Sequence, residues 1–573
     1  MIGDTITGVL AHLPPGSLLI LGALMVPLMR GRLLQVWLLA LPLLSGWHLL
    51  SMPEDTLIQA TVAGQTLTLI RVDGLSLLWG YIFHIAAIIM AIYALHVRDA
   101  IQHFSALAYI GAALGAVFAG DLITLFVYWE VTAISSVFLI WASRNERAYK
   151  AGMRYLIIQV GSGVLLLAGT VIHLKESGSI AFGHLGLGTT GTNLIFIAFG
   201  IKCAFPLLHN WLQDAYPEAT GTGTVVLSAF TTKLAVYALA RGYAGTEMLI
   251  WIGAIMTAFP IFFAVLENDL RRVLAYSLNN QLGFMVVGVG VGTELALNGT
   301  AAHAFAHILY KALLFMSMGA VLHRVGTTKA SELGGLYKSM PLTTIFCGVG
   351  SASISAFPLF SGFVTKSLIL TAVAQEHHTA VFLVLLFASA GVLDHSGIKV
   401  PYFAFFSHDS GIRCKEAPWN MLLAMGVTAA ACIGIGVYPK PLYDILPFAL
   451  DYDAYTMTHV ITQMQLLMFA ILAFGVLKVT GIYPAELPST NLDTDWVYRR
   501  ALPALISPVM TFGSRLRQRA VSAVARGFSA LSGRTELMFG TRGVFGRSWT
   551  VGNAALWAAI VLTVFLMLRA LGR

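Results

Sequence analysis

Charge is what this sequence has least of. Only 11% of its 573 residues are Asp, Glu, Lys or Arg, whereas 57% are hydrophobic and the mean hydropathy is +0.78. Soluble domains carry roughly 25% charged residues, so a soluble globular enzyme is excluded. The chain reads instead as an all-α polytopic membrane protein, whose length counts spans rather than globular domains. Cysteine is also sparse: Cys203, Cys347, Cys414 and Cys432 lie far apart, without metal-ligand spacing. That argues against a disulfide framework and against an iron–sulfur cluster. No P-loop is present either, so no cofactor is expected and no metal-ligating set is assigned. Acid is almost missing from the C-terminal part, where eleven arginines face a single Glu536 between Arg499 and Arg573. The net charge of +8 is therefore local. This basic stretch lies between two apolar spans, which makes nucleic acid a poor partner. The first apolar stretch has neither a basic leader nor a small-residue cleavage site, so no cleavable signal is expected.

What is present is apolar helix. A span needs about 20 mostly apolar residues, and on that criterion about sixteen candidates follow one another. They run over 6–29, 33–51, 72–97, 104–119, 121–142, 150–173, 192–215, 222–242, 247–266, 274–291, 301–323, 340–370, 380–403, 419–437, 459–480 and 549–568. Basic residues follow the odd-numbered spans: Arg30 and Arg32, then Arg144, Arg147, Lys150 and Arg154, then Arg271 and Arg272, Arg324, Lys329 and Lys338, and Arg413 and Lys415. By the positive-inside rule those loops are cytoplasmic and the N-terminus is outside. Residues 52–70 then form an external hairpin. The many glycines are scattered, as expected where membrane helices pack closely.

The seventh candidate span is expected to be the organising one. An apolar helix carries Lys202 and meets Pro206 four residues later. Pro removes a backbone donor and breaks or kinks a helix. At membrane depth such a break survives only where it is buried in protein or lines a wet cavity. An ionisable side chain there is a functional-site hypothesis by default. The twelfth span repeats the device: Pro358 and Gly362 interrupt it, with Lys366 just beyond the break. Carbonyls freed by that break are expected to turn to water. Phe205-Pro206-Leu207 and Phe357-Pro358-Leu359 match, five spans apart. Five is odd, so equivalent helices would cross in opposite directions, as inverted repeats do in many transporters.

Other charges lie inside other spans. Glu130 sits in LFVYWEVTAISSVFLIW with Ser135 and Ser136 nearby, and Lys233 in VVLSAFTTKLAVYAL. In AAHAFAHILYKALLF, His303, His307 and Lys311 are four apart, which stacks them along one helix face. Three titratable groups on one line suit a proton wire; the structural alternative is polar side chains joining helices. The thirteenth span carries Asp394, His395 and Lys399, the last near enough to the cytoplasmic end to snorkel instead. Beyond the fifteenth span, Pro508–Leu531 reads as an amphipathic helix. Val509, Phe512, Leu516, Val524, Phe528 and Leu531 form its stripe, with Arg515, Arg519 and Arg526 largely off it. Such a helix suits the cytoplasmic headgroup plane. The chain thus divides into N-terminal membrane helices with the hairpin (1–103), a first five-helix repeat (104–242), a second (247–403), C-terminal membrane helices (404–481), a basic amphipathic cytoplasmic segment (482–548) and a final transmembrane helix (549–573).

From about 70 to 440 the residues resemble a known family, the proton-translocating antiporter-like subunits of multisubunit Mrp-type Na+/H+ antiporters and respiratory complex I. The resemblance is carried by YWEVTAISS, GIKCAFPL with WLQDAYP downstream, FTTKLAVYAL, NDLRRVLAYSLNNQLGFM, HAFAHILYKALLF and FPLFSGFVTK. The wording is most similar to the D-type component of the Mrp antiporters. The resemblance implies that Glu130 and Lys202 match the family's paired glutamate and lysine. It places Lys233, His303, His307 and Lys311 on its central hydrophilic axis, and Lys366 as its terminal lysine. Two features depart from the pattern. Gln213 replaces a proline, with Glu218-Ala219-Thr220 in place of a proline-rich continuation, and the C-terminal basic helix and last span are similar to those of complex I's distal pumping subunit. The function implied is proton translocation within a monovalent cation (Na+)/H+ antiporter, in a bacterial cytoplasmic membrane and among other membrane subunits. The alternative is a non-redox pumping subunit of complex I or a related membrane-bound redox complex. In either case the chain is a transport subunit rather than an enzyme in itself.

The physics of a Glu–Lys switch is sufficient for this task. Desolvation can move a buried lysine by up to about 3–5 pKa units, and a nearby carboxylate reverses the effect. Moving one charge against about 150 mV costs roughly 3.5 kcal/mol, which a swing of about 2.5 units supplies.

Overall fold

The computed structural model describes residues 13–62, 64–484, 486–487, 491–541, 543, 546 and 549–571. The start of the first expected span, 6–12, lies outside the described residues, as do Ala485, Pro488–Thr490 and Arg547–Ser548 within the basic segment. The chain divides into two units, residues 1–491 and 492–573.

In the first unit α1 (Ser17–Met25) and α2 (Gly31–Leu50) precede a two-stranded antiparallel hairpin, β1 (Leu57–Val62) and β2 (Gln65–Arg71). There follow α3 (Gly74–Tyr93), α4 (Ala100–Phe118), α5 (Leu122–Trp141), α6 (Glu146–Ser177), α7 (Thr190–Cys203), α8 (Asn210–Ala215), α9 (Gly221–Ala229), α10 (Thr231–Gly242), α11 (Glu247–Leu266), α12 (Leu270–Val291) and α13 (Glu294–Val325). Then come α14 (Pro341–Ile354), α15 (Ser361–Gln375), α16 (Thr379–Val392), α17 (Trp419–Val437), α18 (Lys440–Tyr443) and α19 (Met457–Val479). Among the described residues of both units, twelve helices are long and apolar enough to cross a membrane; Ser17–Leu28, Thr190–Cys203 and Pro341–Ile354 are shorter apolar pieces. The molecule is a helical, polytopic membrane protein. Its core is α13, buried along nearly its whole length and packed against α3, α9, α12, α14, α15 and α17.

Several helix starts are set by short polar side chains, which satisfy N–H groups that a helix leaves unpaired. Asp121 accepts from the N–H of Ile123 and Thr124 at 2.9 and 2.8 Å, and from the hairpin's Thr68 N–H at 2.8 Å. Asp269 does the same for α12 through Arg271 N–H at 2.8 Å. These two aspartates occupy matching places. Asp121 bridges Ala181 and Asp269 bridges Lys329, each as an isolated antiparallel contact. α6 and α13 are both 32 residues long, start at Glu146 and Glu294, and end on left-handed Gly178 and Gly326. Every one of these pairs is offset by 148 residues.

The proline breaks also match in backbone detail. Between α7 and α8, Ala204 and Leu207 have φ of 62° and 70°; between α14 and α15, Ala356 and Leu359 have 59° and 72°. Left-handed backbone costs a non-glycine residue roughly 1–2 kcal/mol, and both Ala-Phe-Pro-Leu corners bear that cost twice. A break that sequence periodicity does not reveal separates α9 from α10 at Phe230, with no proline or glycine there. After α16 the helix continues through π-helical turns at Leu393–Ile398 and Tyr402–Phe406. Such turns are rare and occur frequently at functional sites.

The second unit contains α20 (Leu502–Phe539) and α21 (Val551–Leu571). α20 is longer than the expected 508–531, with Pro508 inside it, and at 1.5 Å per residue its 38 residues extend about 57 Å.

Candidate functional site

Lys202 stands in the last turn of α7, two residues before the left-handed Ala204. It is fully buried. Its ammonium donates to the Trp129 carbonyl at 2.6 Å and to Thr132 Oγ1 at 2.8 Å, and lies 4.4 Å from the Trp129 ring centroid. These are the groups a buried cation needs: a carbonyl, a hydroxyl and a π face. Glu130, next to Trp129 on α5, turns toward α6. Its Oε1 occupies the space a side chain at Gly163 would fill, and that oxygen has no hydrogen-bond partner among the described residues. The expected Glu–Lys couple therefore shares one neighbourhood while the lysine's hydrogen bonds go elsewhere. Gln159, one turn before Gly163 on α6, is buried with both amide atoms unpartnered among the described residues.

Lys233 uses the break at Phe230. Its ammonium donates to the Ser228 carbonyl at 2.6 Å, an acceptor left over where the helix is interrupted. The Lys233 carbonyl in turn accepts from Trp79 Nε1 of α3 at 3.1 Å.

The column on α13 is buried throughout, and its members differ in what they touch. His303 lies between Thr365 Oγ1 at 3.1 Å and Gln281 Oε1 at 3.2 Å, with the Tyr310 hydroxyl 3.3 Å away. Neither ring nitrogen of His307 nor the Lys311 ammonium has a hydrogen-bond partner among the described residues. The rings of His303 and His307 are 6.2 Å apart, and Tyr310 stands 5.2 Å from His307. A buried unpartnered ammonium is costly, and a native site that contains one calls for an unmade bond to water or an ion.

Lys366 enters from the second turn of α15. Its ammonium donates to the carbonyl of Ile354, the last residue of α14, at 3.0 Å and stands 5.0 Å from the Phe284 ring. Water was the expected partner for the carbonyls freed by the break. The lysine itself takes one of them, and Gln463 reaches the next, on Ser355, at 3.5 Å. Phe284 is 6.2 Å from His303, and Thr365 precedes Lys366, so this lysine adjoins the His303 end of the column.

Lys399 does not snorkel. Its side chain is 0% exposed, donates to the carbonyls of Val265 and Glu267 at 2.6 and 2.7 Å, and pairs with Glu486 at 3.2 Å. Burial raises the Glu486 carboxyl above its usual range, opposed by the Lys399 charge beside it. Sequence reasoning passed over Glu486 because it lies in a polar stretch after α19. It passed over Gln281 too, although Asn279-Asn280-Gln281 is an obvious polar run inside an otherwise apolar helix. The pattern Gly186-Leu187-Gly188-Thr189-Thr190-Gly191 opens α7, but it follows a loop and not the strand a dinucleotide fingerprint requires. A Cβ at Gly191 would meet the His173 backbone nitrogen at 2.5 Å, so that glycine serves helix packing.

Two broken helices, each holding a buried lysine, and a buried histidine column mark an antiporter-like membrane protein. Residues 119–393 match the family described as NADH:quinone oxidoreductase/Mrp antiporter, transmembrane. The chain is 30% identical to the D component of the Na(+)/H(+) antiporter of Alkalihalophilus pseudofirmus over 356 residues, covering 58% of this chain and 71% of that one. It is 27% identical to Hydrogenase-4 component B of Escherichia coli K12 over 416 residues, 64% of this chain and 62% of the relative. The first three curated relatives are matched over 62%, 40% and 56% of their length. In fold it is similar to a chain of the Mrp complex from Dietzia sp. DQ12-45-1b, with a TM-score of 0.68, 21% identity and coverage of 80% and 99%. The chain belongs to the NADH:quinone oxidoreductase/Mrp antiporter family.

Proposed function

We propose that this chain is the proton-translocating subunit of a multisubunit monovalent cation (Na+)/H+ antiporter. The observation that carries the reading is a set of ionisable groups held inside the helix bundle with bonding capacity unused among the described residues: Glu130 Oε1, both nitrogens of His307, and the Lys311 ammonium. Buried polar groups are ordinarily hydrogen-bonded, and a chain of waters carrying protons would complete these bonds. Protons then pass among Glu130, Lys202, Lys233, His303, His307, Lys311 and Lys366, with Lys366 joined to the column at its His303 end. Glu130 sets the charge on Lys202, and Lys366 is the exit-side group.

The same proposal includes the finer architecture: about sixteen spans, in which 104–242 and 247–403 are inverted five-helix repeats. The common 148-residue offset of Asp121/Asp269 and Glu146/Glu294, and the twin Ala-Phe-Pro-Leu corners, support it. The protein would sit in a bacterial cytoplasmic membrane with other membrane subunits.

The likeness to Hydrogenase-4 component B favours one second reading, a non-redox pumping subunit of a membrane-bound redox complex. Purifying the native assembly separates the two. Small membrane chains alone support the antiporter; flavin or iron–sulfur subunits support the redox complex. In vesicles, Glu130→Gln and Lys202→Ala should each abolish cation-dependent ΔpH changes while the assembly stays intact. Wild-type exchange by either variant would overturn the site assignment.

A further inference from the structure

At one end of the N-terminal helices a cavity of about 820 Å³ opens between the turn at Met29–Arg32 and the turn at Leu95–Arg98. Arg30, Arg32 and Arg98 line it, over a floor that includes Leu34 and Leu38. All three arginines are exposed, and none has an ion-pair or hydrogen-bond partner among the described residues. Their neighbours at this end of the bundle are committed. Arg144 pairs with Asp99, Arg147 with Glu218, and Arg154 with Asp214. Asp99 is the carboxylate next to Arg98, and it is taken up by Arg144 and by the N–H of Ile101. The groove therefore concentrates positive charge with no internal counter-ion among the described residues.

Two further features select the kind of anion. The N-terminus of α2 points into the groove's rim without a side-chain cap or an acid in its first turn, leaving N–H groups open. Beside it Leu24 of α1, Leu28 of the following turn, and Leu33 and Val36 of α2 are exposed. Exposed apolar side chains beside a cluster of unpaired arginines match a molecule with a phosphate head and hydrocarbon tails. Basic pockets between membrane helices bind lipid headgroups by the same logic.

We propose that this groove binds the headgroup of one anionic phospholipid, with Arg30, Arg32 and Arg98 on the phosphate and the acyl chains along α1 and α2. An arginine near the membrane surface contributes about 1 kcal/mol to such binding. Losing one should weaken binding about fivefold, and losing all three about a hundredfold.

The test uses the full-length chain, delipidated in detergent and titrated with dioleoylphosphatidylglycerol or dioleoylphosphatidylcholine, with retained lipid counted by native mass spectrometry. Wild type should hold one phosphatidylglycerol in preference to phosphatidylcholine. The variant R30Q/R32Q/R98Q should lose that preference, while R515Q/R517Q/R519Q, which removes the same charge from α20, should keep it. The three sites are exposed, and if the triple variant nonetheless fails to fold, R98Q alone should show the fivefold loss. Equal weakening by both triple variants would reduce the effect to general electrostatics and overturn the proposal. Displacement of the lipid by equimolar glycerol phosphate would make this a soluble-anion site. Retained lipid with loss of a co-purifying membrane chain would make it a protein surface. Either outcome overturns it as well.

Discussion

Gly163→Ala tests the Glu130 assignment without removing a charge. The Glu130 carboxyl carbon lies 2.5 Å from where a Cβ at Gly163 would stand, and Oε1 fills that position. Ordinary contact begins at about 3.4–4 Å between carbon atoms, so the methyl must drive the carboxylate about 1 Å or more from its place. The clashing atoms are the far end of a flexible, half-buried side chain, so the carboxylate swings aside at the low end of the overpacking range, about 1 kcal/mol. Taken from the population of the competent arrangement, that is about a fivefold loss of coupled exchange, at 1.4 kcal/mol per decade. The helix itself gains, because Ala is preferred over Gly by about 0.8–1.0 kcal/mol within a helix. The fold should therefore persist while transport falls. The assay is cation-driven ΔpH in inverted vesicles, read with a pH-sensitive dye, beside thermal unfolding of the purified assembly. If Gly163→Ala exchanges protons at the wild-type rate while Glu130→Gln is inactive, the carboxylate's position is irrelevant and the geometric argument fails.

Lys311→Ala should abolish transport, since it deletes a titratable group whose ammonium has no bond among the described residues to lose. His307→Ala should be milder, because water can bridge a one-turn gap of about 5.4 Å; equal and negligible effects on ΔpH would mark the column as structural. Lys366→Arg should impair exchange as severely as Lys366→Ala, since guanidinium keeps its proton at any working pH, with a pKa above about 12. Normal exchange by the arginine variant would reduce Lys366 to a fixed charge. Glu486→Gln removes the carboxylate paired with the buried Lys399 and should cost less than the roughly 3–5 kcal/mol of breaking an isolated buried pair, because the Glu267 and Asp394 charges remain nearby. The double variant Lys399→Met/Glu486→Leu should recover most of that in thermal unfolding, and an additive double loss would show the pair to be uncoupled.

Much of the architecture is local and is therefore legible in the residues. Apolar runs of span length and the prolines at 206 and 358 act over one or two helical turns. So does the four-residue spacing of His303, His307 and Lys311. Each leaves its mark within a short window. Burial of six of the seven nominated side chains follows from the cost of an ionisable group in lipid, which turns it to the bundle interior; Glu130 is only half-buried.

Tertiary structure decided the partners. Lys202 rests on Trp129 and Thr132, some seventy positions away, and Lys399 on Val265, Glu267 and Glu486. Nothing within a window of sequence distinguishes those acceptors from other carbonyls and carboxylates. The break at Phe230 also lacks a local signature; the Ser228 carbonyl freed there is taken by the Lys233 ammonium, so side chain and break explain each other. The proposed repeat is almost invisible as letters, with Phe-Pro-Leu nearly the sole trace. The corners and capping aspartates that support it are features of backbone geometry. A left-handed corner or a capping aspartate constrains one residue in place, while the membrane-facing positions between accept any apolar side chain.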